Sequence, residues 1–159
     1  MSLIQISDLN FSYPGSYDPI FTDVNIQFDS GWKLGLTGRN GRGKTTLLRL
    51  LTGQFPGHGK IHMQEIPALF PYPVPDPGRS VMAVARQLTE EQSDWMICRE
   101  LSLLGLGEEF LERTFSTLSQ GEQTRVMLAA LFLREGCYPL IDEPTNHLDA
   151  QGRSRLGRY

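Results

Sequence analysis

The stretch LGLTGRNGRGKTTLLRLLTG, residues 34–53, predicts a phosphate-binding loop between a strand and a helix. It contains the pattern GxxxxGK[ST] from Gly38 to Thr45, with a further glycine at Gly41. Glycines at these positions let backbone N–H groups approach a chain of phosphates closely. Lys44 is then expected to contact the outer phosphates, and the Thr45 hydroxyl is expected to bind Mg²⁺. The stretch therefore predicts a site for a nucleoside triphosphate.

The residues on either side of the loop fit this interpretation. Trp32, Leu34 and Leu36 alternate as in a strand, and the leucines after Thr46 give the following helix an apolar face that ends at Gly53. The N-terminus of such a helix directs N–H groups and a positive dipole end towards a phosphate. A glycine-rich turn without a ligand is the alternative, but the strand, loop and helix context favours nucleotide binding.

Composition places limits on the class of protein. The chain has 159 residues, 40% of them apolar and 21% charged, which predicts one soluble globular core. No apolar run reaches the roughly 18 residues of a membrane span, and no signal peptide is evident, so a cytoplasmic protein without an integral membrane segment is expected. The net charge of −3 gives no global basic surface for nucleic acid. Cys98 and Cys137 lack metal-ligand spacing and are expected to be free buried thiols.

The rest of the chain predicts a sheet interrupted by a helical insert. Alternating apolar residues predict strands before the turn at Ser30-Gly31, and four prolines within residues 71–77 predict a stiff loop. Helical spacing follows this loop and stops at two glycines. Strands are expected within residues 3–28, near 60–63 and near 68–70, and helices over 81–92 and 95–104, before Gly105 and Gly107.

Three further positions outside the loop could contact a nucleotide. Tyr13 precedes a Pro-Gly turn, where its ring could either stack on a base or only pack the turn. Ser119 stands three residues before Glu122 in the sequence LSQGE, which is the pattern of a capping box at a helix start. Such a start can be purely structural, or it can hold an anion, for which Gly121 leaves room.

Two adjacent acids, Asp142 and Glu143, follow the apolar stretch at residues 138–141. One carboxylate can hold Mg²⁺ and the next can orient or activate the attacking water in phosphoryl transfer. Acids at a strand end are often only solvated turn residues, but the phosphate loop favours the functional interpretation. Pro139 is unfavourable in a central strand because proline donates no ladder hydrogen bond.

Three of these stretches, in this order, resemble the nucleotide-binding domain of ATP-binding cassette (ABC) proteins. They are the phosphate-binding loop, the sequence LSQGE and the apolar stretch that ends in the two adjacent acids. The resemblance implies an α/β fold: a P-loop cassette with an antiparallel β subdomain and a small helical subdomain, here truncated at its C-terminus. The nucleotide-binding core is expected over residues 1–71 and 118–159, and the helical subdomain over 72–117. The sequence DEPTNHLD, beginning at Asp142, resembles the ABC-F branch, and the loop resembles the first cassette of its antibiotic-resistance members.

The resemblance also implies roles for individual residues toward ATP and Mg²⁺. Tyr13 would stack on adenine, Thr45 and Asp142 would serve Mg²⁺, and Glu143 would activate water. Lys44, the second residue with an implied catalytic role, would hold the phosphates together with the loop amides. Ser119 and Gly121 would close over ATP held by a second cassette, and Asp149 would lie in a loop that contacts this partner. The residues expected to form the nucleotide cradle are Gly38, Arg39, Asn40, Gly41, Arg42, Gly43, Lys44, Thr45 and Thr46.

Two departures from the family pattern limit what the resemblance implies. Tyr72 stands where the family usually has a glutamine, and a tyrosine offers no amide for the γ-phosphate or Mg²⁺. The family's switch histidine lies beyond Tyr159, so the chain is expected to be a fragment, and His147 is in the wrong place to substitute. The leading hypothesis is an ABC-F ATPase that acts on the ribosome and its RNA, either as a translation factor or in antibiotic resistance. The alternatives are the energy subunit of a membrane transporter and a non-catalytic nucleotide-binding module.

Overall fold

A computed structural model describes residues 2–89, 92–146, 148 and 150–157 of the chain. The chain divides into two compact units. The first unit comprises Met1–Leu69 and Gly136–Asp142, and the second comprises Phe70–Glu135 and Glu143–Tyr159.

An antiparallel sheet forms the first part of the first unit. Its strands are β1 (Leu3–Phe11), β2 (Phe21–Asp29) and β3 (His58–His62), in the order β2-β1-β3. Ile4 and Ile6 alternate with exposed residues along β1 and are buried, as a strand with one face on a core requires. The sheet confirms the antiparallel β subdomain expected from the sequence.

The helix after the phosphate loop, α1 (Lys44–Leu51), packs on this sheet. Its last residue is Leu51 and its C-cap is Thr52. The next residue, Gly53, has a φ of +70°, the left-handed conformation that commonly terminates helices. The helix and its end therefore match the sequence prediction. The buried apolar residues of the shared core are Ile6, Leu9, Phe11, Leu50, Leu51 and Leu140.

A second sheet has two strands, and the first of the paired acids follows one of them. It consists of β4 (Ile66–Phe70) and β5 (Cys137–Ile141), and β5 has β4 as its one neighbour among the described residues. Pro139 lies in β5 and is exposed. A strand with one neighbour tolerates proline because the missing N–H can face away from the ladder. Asp142 follows directly at the end of β5, as the sequence predicted.

The prediction of a strand around Trp32, Leu34 and Leu36 is wrong. These residues belong to no strand or helix, and no other described strand pairs with them. Their side chains are 60%, 55% and 49% exposed, respectively. An alternating pattern shows that a segment is suited to a sheet, but a strand forms only where a neighbouring backbone supplies its hydrogen bonds.

Helices make up the second unit. They are α2 (Val81–Thr89), α3 (Asp94–Leu103), α4 (Gln120–Leu133) and α5 (Ala150–Leu156), with short 3₁₀ turns at Glu108–Phe110 and Phe115–Thr117. The proline segment before α2 contains neither helix nor strand, as predicted. Within the described ranges, no helix has the length and apolar character to cross a membrane.

Tyr72 has a structural contact inside the second unit. Its hydroxyl donates a hydrogen bond of 2.6 Å to the backbone carbonyl of Met127 in α4, and its ring meets Phe70 edge to face, with centroids 6.2 Å apart. The tyrosine at this position therefore ties the start of the unit to α4.

Neither Cys98 nor Cys137 forms a disulfide within the part of the chain that the structure describes. The expectation that they are buried is wrong, since Cys98 and Cys137 are each half-buried. Cys98 lies on α3, a short helix whose fully buried positions are occupied by Ile97 and Leu101 instead.

Candidate functional site

The loop over residues 38–43 is exposed up to Arg42 and depends on its glycines. Gly41 and Gly43 have φ angles of +77° and +89°, which side chains with a Cβ rarely adopt. A Cβ on Gly43 would also lie 2.7 Å from Ile20 Cγ2 and 3.0 Å from Phe21 Cζ. Both the backbone conformation and the space therefore require glycine at position 43, immediately before α1.

The side chain of Lys44 lies across the loop. Its ammonium donates hydrogen bonds to the carbonyls of Gly38, at 2.8 Å, and Arg39, at 3.2 Å. Arg39 also accepts a backbone hydrogen bond of 3.3 Å from Arg42, which turns the loop around Asn40. Because a lysine ammonium has three N–H donors, one remains for an anionic ligand at the mouth of the loop.

The hydroxyl of Thr45 donates a hydrogen bond of 2.7 Å to Asp142 Oδ2. This contact joins the first turn of α1 to the end of β5, across 97 residues of sequence. Mg²⁺ prefers hard oxygen ligands and is usually held by one or two protein oxygens together with phosphates and water. A hydroxyl and a carboxylate at this distance fit that ion, so the structure brings together the two residues that the sequence assigned to Mg²⁺.

Tyr13 lies beside the same helix. Its hydroxyl forms a hydrogen bond of 2.7 Å with the hydroxyl of buried Thr46, the residue after Thr45. Its ring meets Phe11 and Phe55 edge to face, with centroids 5.1 and 5.8 Å away. The side chain is still 40% exposed, so part of the ring is open to a flat ligand. Sequence reasoning did not identify Phe55 or the bond to Thr46, because neither has a local signal.

The segment LSQGE, residues 118–122, forms a complete capping box at the start of α4. The Ser119 backbone N–H and hydroxyl both donate to Glu122 Oε2, at 2.7 and 2.8 Å, and the Glu122 N–H donates to Ser119 Oγ at 3.3 Å. Partial burial alone would raise the pKa of Glu122, but the hydrogen bonds from Ser119, together with the charges of Arg113 and Arg125, hold the pKa below its usual value. The predicted capping box is confirmed, and Gly121 lies in its first turn.

Replacing Ser119 with alanine is expected to lower the free energy of unfolding by about 1 kcal/mol at pH 7. The difference from the wild type should narrow as the pH falls through the folded-state pKa of Glu122, below its usual 4.5, because the protonated carboxyl is a weaker acceptor. Urea unfolding at pH 7 and at a series of pH values below 4.5 would measure both effects. Ser116→Ala, at an exposed position three residues earlier, is the matched control; equal losses for the two variants would contradict the capping role.

Glu143 opens an exposed turn in the second unit. Its φ of +43° lies in the left-handed region, which is uncommon for a residue with a long side chain. The backbone N–H of Asn146 donates to the Glu143 carbonyl at 3.2 Å, and the Asn146 side-chain amide donates to Glu143 Oε2 at 2.5 Å. Asn146 is not among the site residues predicted from the sequence, although asparagine after Pro-Thr is a typical turn residue. Asp149 and His147 lie outside the described residues.

Comparison with known proteins gives a consistent family. Residues 21–146 match the family described as ABC transporter. An ABC transporter ATP-binding protein of Nitratidesulfovibrio vulgaris is 32% identical over 97% of this chain and 64% of its own length. ABC transporter F family member 2 of Arabidopsis thaliana is 29% identical over 98% of this chain and 24% of its own length.

Other relatives and solved structures extend the comparison. The energy-coupling factor transporter ATP-binding protein EcfA1 of Thermotoga maritima is 28% identical over 96% of this chain and 65% of its own length. The chain therefore spans less than two thirds of the length of each of these three relatives. An ABC transporter ATP-binding protein from Pyrococcus furiosus has a TM-score of 0.84, covers 99% of this chain and 83% of its own, and at 22% identity supports the shared fold.

Proposed function

The chain belongs to the ABC transporter family, and from this premise we propose that it binds ATP with Mg²⁺ and serves as the ATPase domain of an ABC-F type protein. The observation that carries the proposal is the hydrogen bond between Thr45 and Asp142, since it joins the phosphate loop to the first of the paired acids. Thr45 and Asp142 would hold Mg²⁺ against the outer phosphates, and Lys44 would contact those phosphates.

Hydrolysis requires a positioned water and stabilisation of charge on the transferring phosphoryl group. We propose that Glu143 activates the water and that Lys44 and the loop amides stabilise the charge. Ser119 and Gly121, at the N-terminus of α4, would contact ATP held by a second cassette, because a helix N-terminus favours an anion. Residues 72–117 would form the helical subdomain, with the nucleotide-binding core on either side of it in the sequence.

The ribosome is the proposed partner, and antibiotic resistance is the proposed wider role. Two findings support this proposal. The sequence DEPTNHLD, which begins at Asp142, is the pattern of the ABC-F branch. ABC transporter F family member 2 of Arabidopsis thaliana is among the relatives. The EcfA1 relative favours the second candidate, the energy subunit of a membrane transporter. Sedimentation of the full reading frame product through sucrose, with ATP bound, would decide between them. Co-sedimentation with ribosomes supports the first, and co-purification with a membrane permease supports the second.

ATP binding by the chain is tested through its Mg²⁺ dependence. Asp142→Asn, which keeps the size of the side chain but removes its charge, should weaken ATP binding in Mg²⁺ and have little effect in EDTA. Isothermal titration under both conditions gives the comparison, and Asp76→Asn, at an exposed position in the proline segment, is the matched control. Equal losses in Mg²⁺ and EDTA would show that Asp142 does not serve the ion.

Tyr13 is proposed to stack on the base while Lys44 holds the phosphates. Tyr13→Ala is expected to weaken ATP binding about 2- to 10-fold, since one aromatic stack contributes about 0.5–1.5 kcal/mol. Tyr13→Phe keeps the ring and loses only the hydrogen bond to Thr46, so it should lie between the wild type and Tyr13→Ala. Titration with ATP and with inorganic triphosphate, which has no base, separates contacts to the base from contacts to the phosphates. A loss of triphosphate binding equal to the loss of ATP binding would contradict stacking on the base.

A further inference from the structure

The turn over residues 143–146 places one side chain where it can control the proposed water-activating carboxylate. Within it, the Asn146 amide donates to Glu143 Oε2 at 2.5 Å, and the Asn146 backbone N–H donates to the Glu143 carbonyl at 3.2 Å. One residue thus holds both the backbone and the side chain of Glu143. From this geometry we propose that Asn146 is a positioning residue, which fixes one carboxylate oxygen and leaves Oε1 to accept a proton from water.

Three features of the turn make such a restraint necessary. Glu143 is exposed, and an exposed glutamate side chain has several rotamers of similar energy. Its φ of +43° is unfavourable for a residue with a Cβ and persists only where neighbouring contacts impose it. Pro144 presets its own φ, which favours the turn but does not restrain the glutamate side chain. The amide of Asn146 supplies the missing restraint.

The chemistry of the amide suits this role. The asparagine side chain is neutral and donates through its NH₂ group. It can therefore bind a carboxylate oxygen without placing a further charge near Mg²⁺ or phosphate. A lysine or arginine in the same place would bring a positive charge beside the proposed base. Aspartate has the same size as asparagine but only accepts hydrogen bonds when ionised, so it would repel Glu143. Asn146→Asp is therefore a nearly isosteric test of the donor itself.

The inference rests on the proposed function of Glu143, and the experiment separates the two. In the product of the full reading frame, Asn146→Ala and Asn146→Asp are expected to lower kcat for ATP hydrolysis about 10- to 100-fold, since misplacing a reacting group costs rates of this order. KM for ATP should change less than about 2-fold, because Asn146 is not proposed to bind ATP. Asn146→Gln keeps the donor on a longer stem and should recover part of the rate.

Glu143→Gln is the background variant in which the effect of Asn146→Ala is measured again. If Asn146 acts through Glu143, adding Asn146→Ala to Glu143→Gln should not lower single-turnover phosphate release further. A purely structural role predicts additive losses and a parallel fall in ATP affinity. Unchanged hydrolysis in Glu143→Gln would overturn the proposed function, whereas hydrolysis lost in Glu143→Gln but kept in Asn146→Ala and Asn146→Asp would overturn only the inference.

The contact can also be observed without turnover. The side-chain amide of Asn146, assigned in ¹H–¹⁵N spectra by its absence in Asn146→Asp, should shift when Glu143→Ala removes its acceptor. The shift should be absent for Glu135→Ala, a control at an exposed glutamate in the same unit. Equal spectra for the wild type and Glu143→Ala at the Asn146 side chain would show that the hydrogen bond does not form in solution, and would overturn the inference.

Discussion

Glu143→Gln is expected to lower kcat for ATP hydrolysis about 10²- to 10⁴-fold in the product of the full reading frame. The amide keeps the size of the side chain but is a far weaker base, so it cannot take a proton from the attacking water. ATP binding should remain, because the proposed contacts to phosphate and Mg²⁺ come from Lys44, Thr45 and Asp142. Steady-state phosphate release gives kcat, and equilibrium titration of the same preparation gives the affinity for ATP.

The matched control is Glu135→Gln, since Glu135 is an exposed glutamate of the same unit that lies outside the turn. It should hydrolyse ATP at the wild-type rate. A Glu143→Gln protein that still hydrolyses ATP at a rate close to that of the wild type would show that the second acid is only a solvated turn residue. In that case the base must be found elsewhere, and the role of the turn as a whole would need to be reassigned.

The parts of the site that the sequence predicted have local causes. The phosphate loop depends on glycines whose backbone angles other residues rarely adopt, and Gly43 shows both the positive φ and the lack of space for a Cβ. The capping box of Ser119 and Glu122 is a contact across three residues, so its pattern is visible in the sequence. Helix ends at glycine are local for the same reason.

Two of the features that the sequence did not predict depend on residues far apart in the chain. The hydrogen bond between Tyr13 and Thr46 joins positions 33 residues apart, and no periodicity reports on such a pair. The segment with Trp32, Leu34 and Leu36 shows the opposite error: its pattern suits a strand, but pairing depends on a neighbour that the pattern does not specify. Local rules therefore identified the motifs, and the contacts between distant residues required the structure.

The positive φ of Glu143 illustrates why functional sites escape such rules. Glutamate is a favourable helix residue and gives no local reason to expect a left-handed backbone. The conformation is held by a turn whose closing residue, Asn146, donates twice to Glu143. Local preference and observed structure disagree here, at the residue to which we assign the chemistry, and such disagreements are expected to be concentrated at functional sites.

Lys44→Ala is expected to weaken ATP binding at least about 10²-fold, because hydrogen bonds between an ammonium and phosphate oxygens are among the stronger polar contacts in proteins. The loss should exceed that of Tyr13→Ala, since one partly exposed ring contributes less than a charge held at the mouth of the loop. The fold should persist. The carbonyls of Gly38 and Arg39, which lose their donor, lie in an exposed loop where water can replace it.

Lys60→Ala is the matched control for Lys44→Ala, since Lys60 is an exposed lysine on β3 of the same unit. Isothermal titration with Mg·ATP should give wild-type affinity for Lys60→Ala and a large loss for Lys44→Ala, and thermal unfolding should give similar melting temperatures for both. Inorganic triphosphate should follow ATP, since the lysine is assigned to the phosphates and not to the base. Unchanged ATP affinity in Lys44→Ala would mean that the glycine-rich stretch is only a turn before a helix, and the nucleotide site would have to be sought outside the loop.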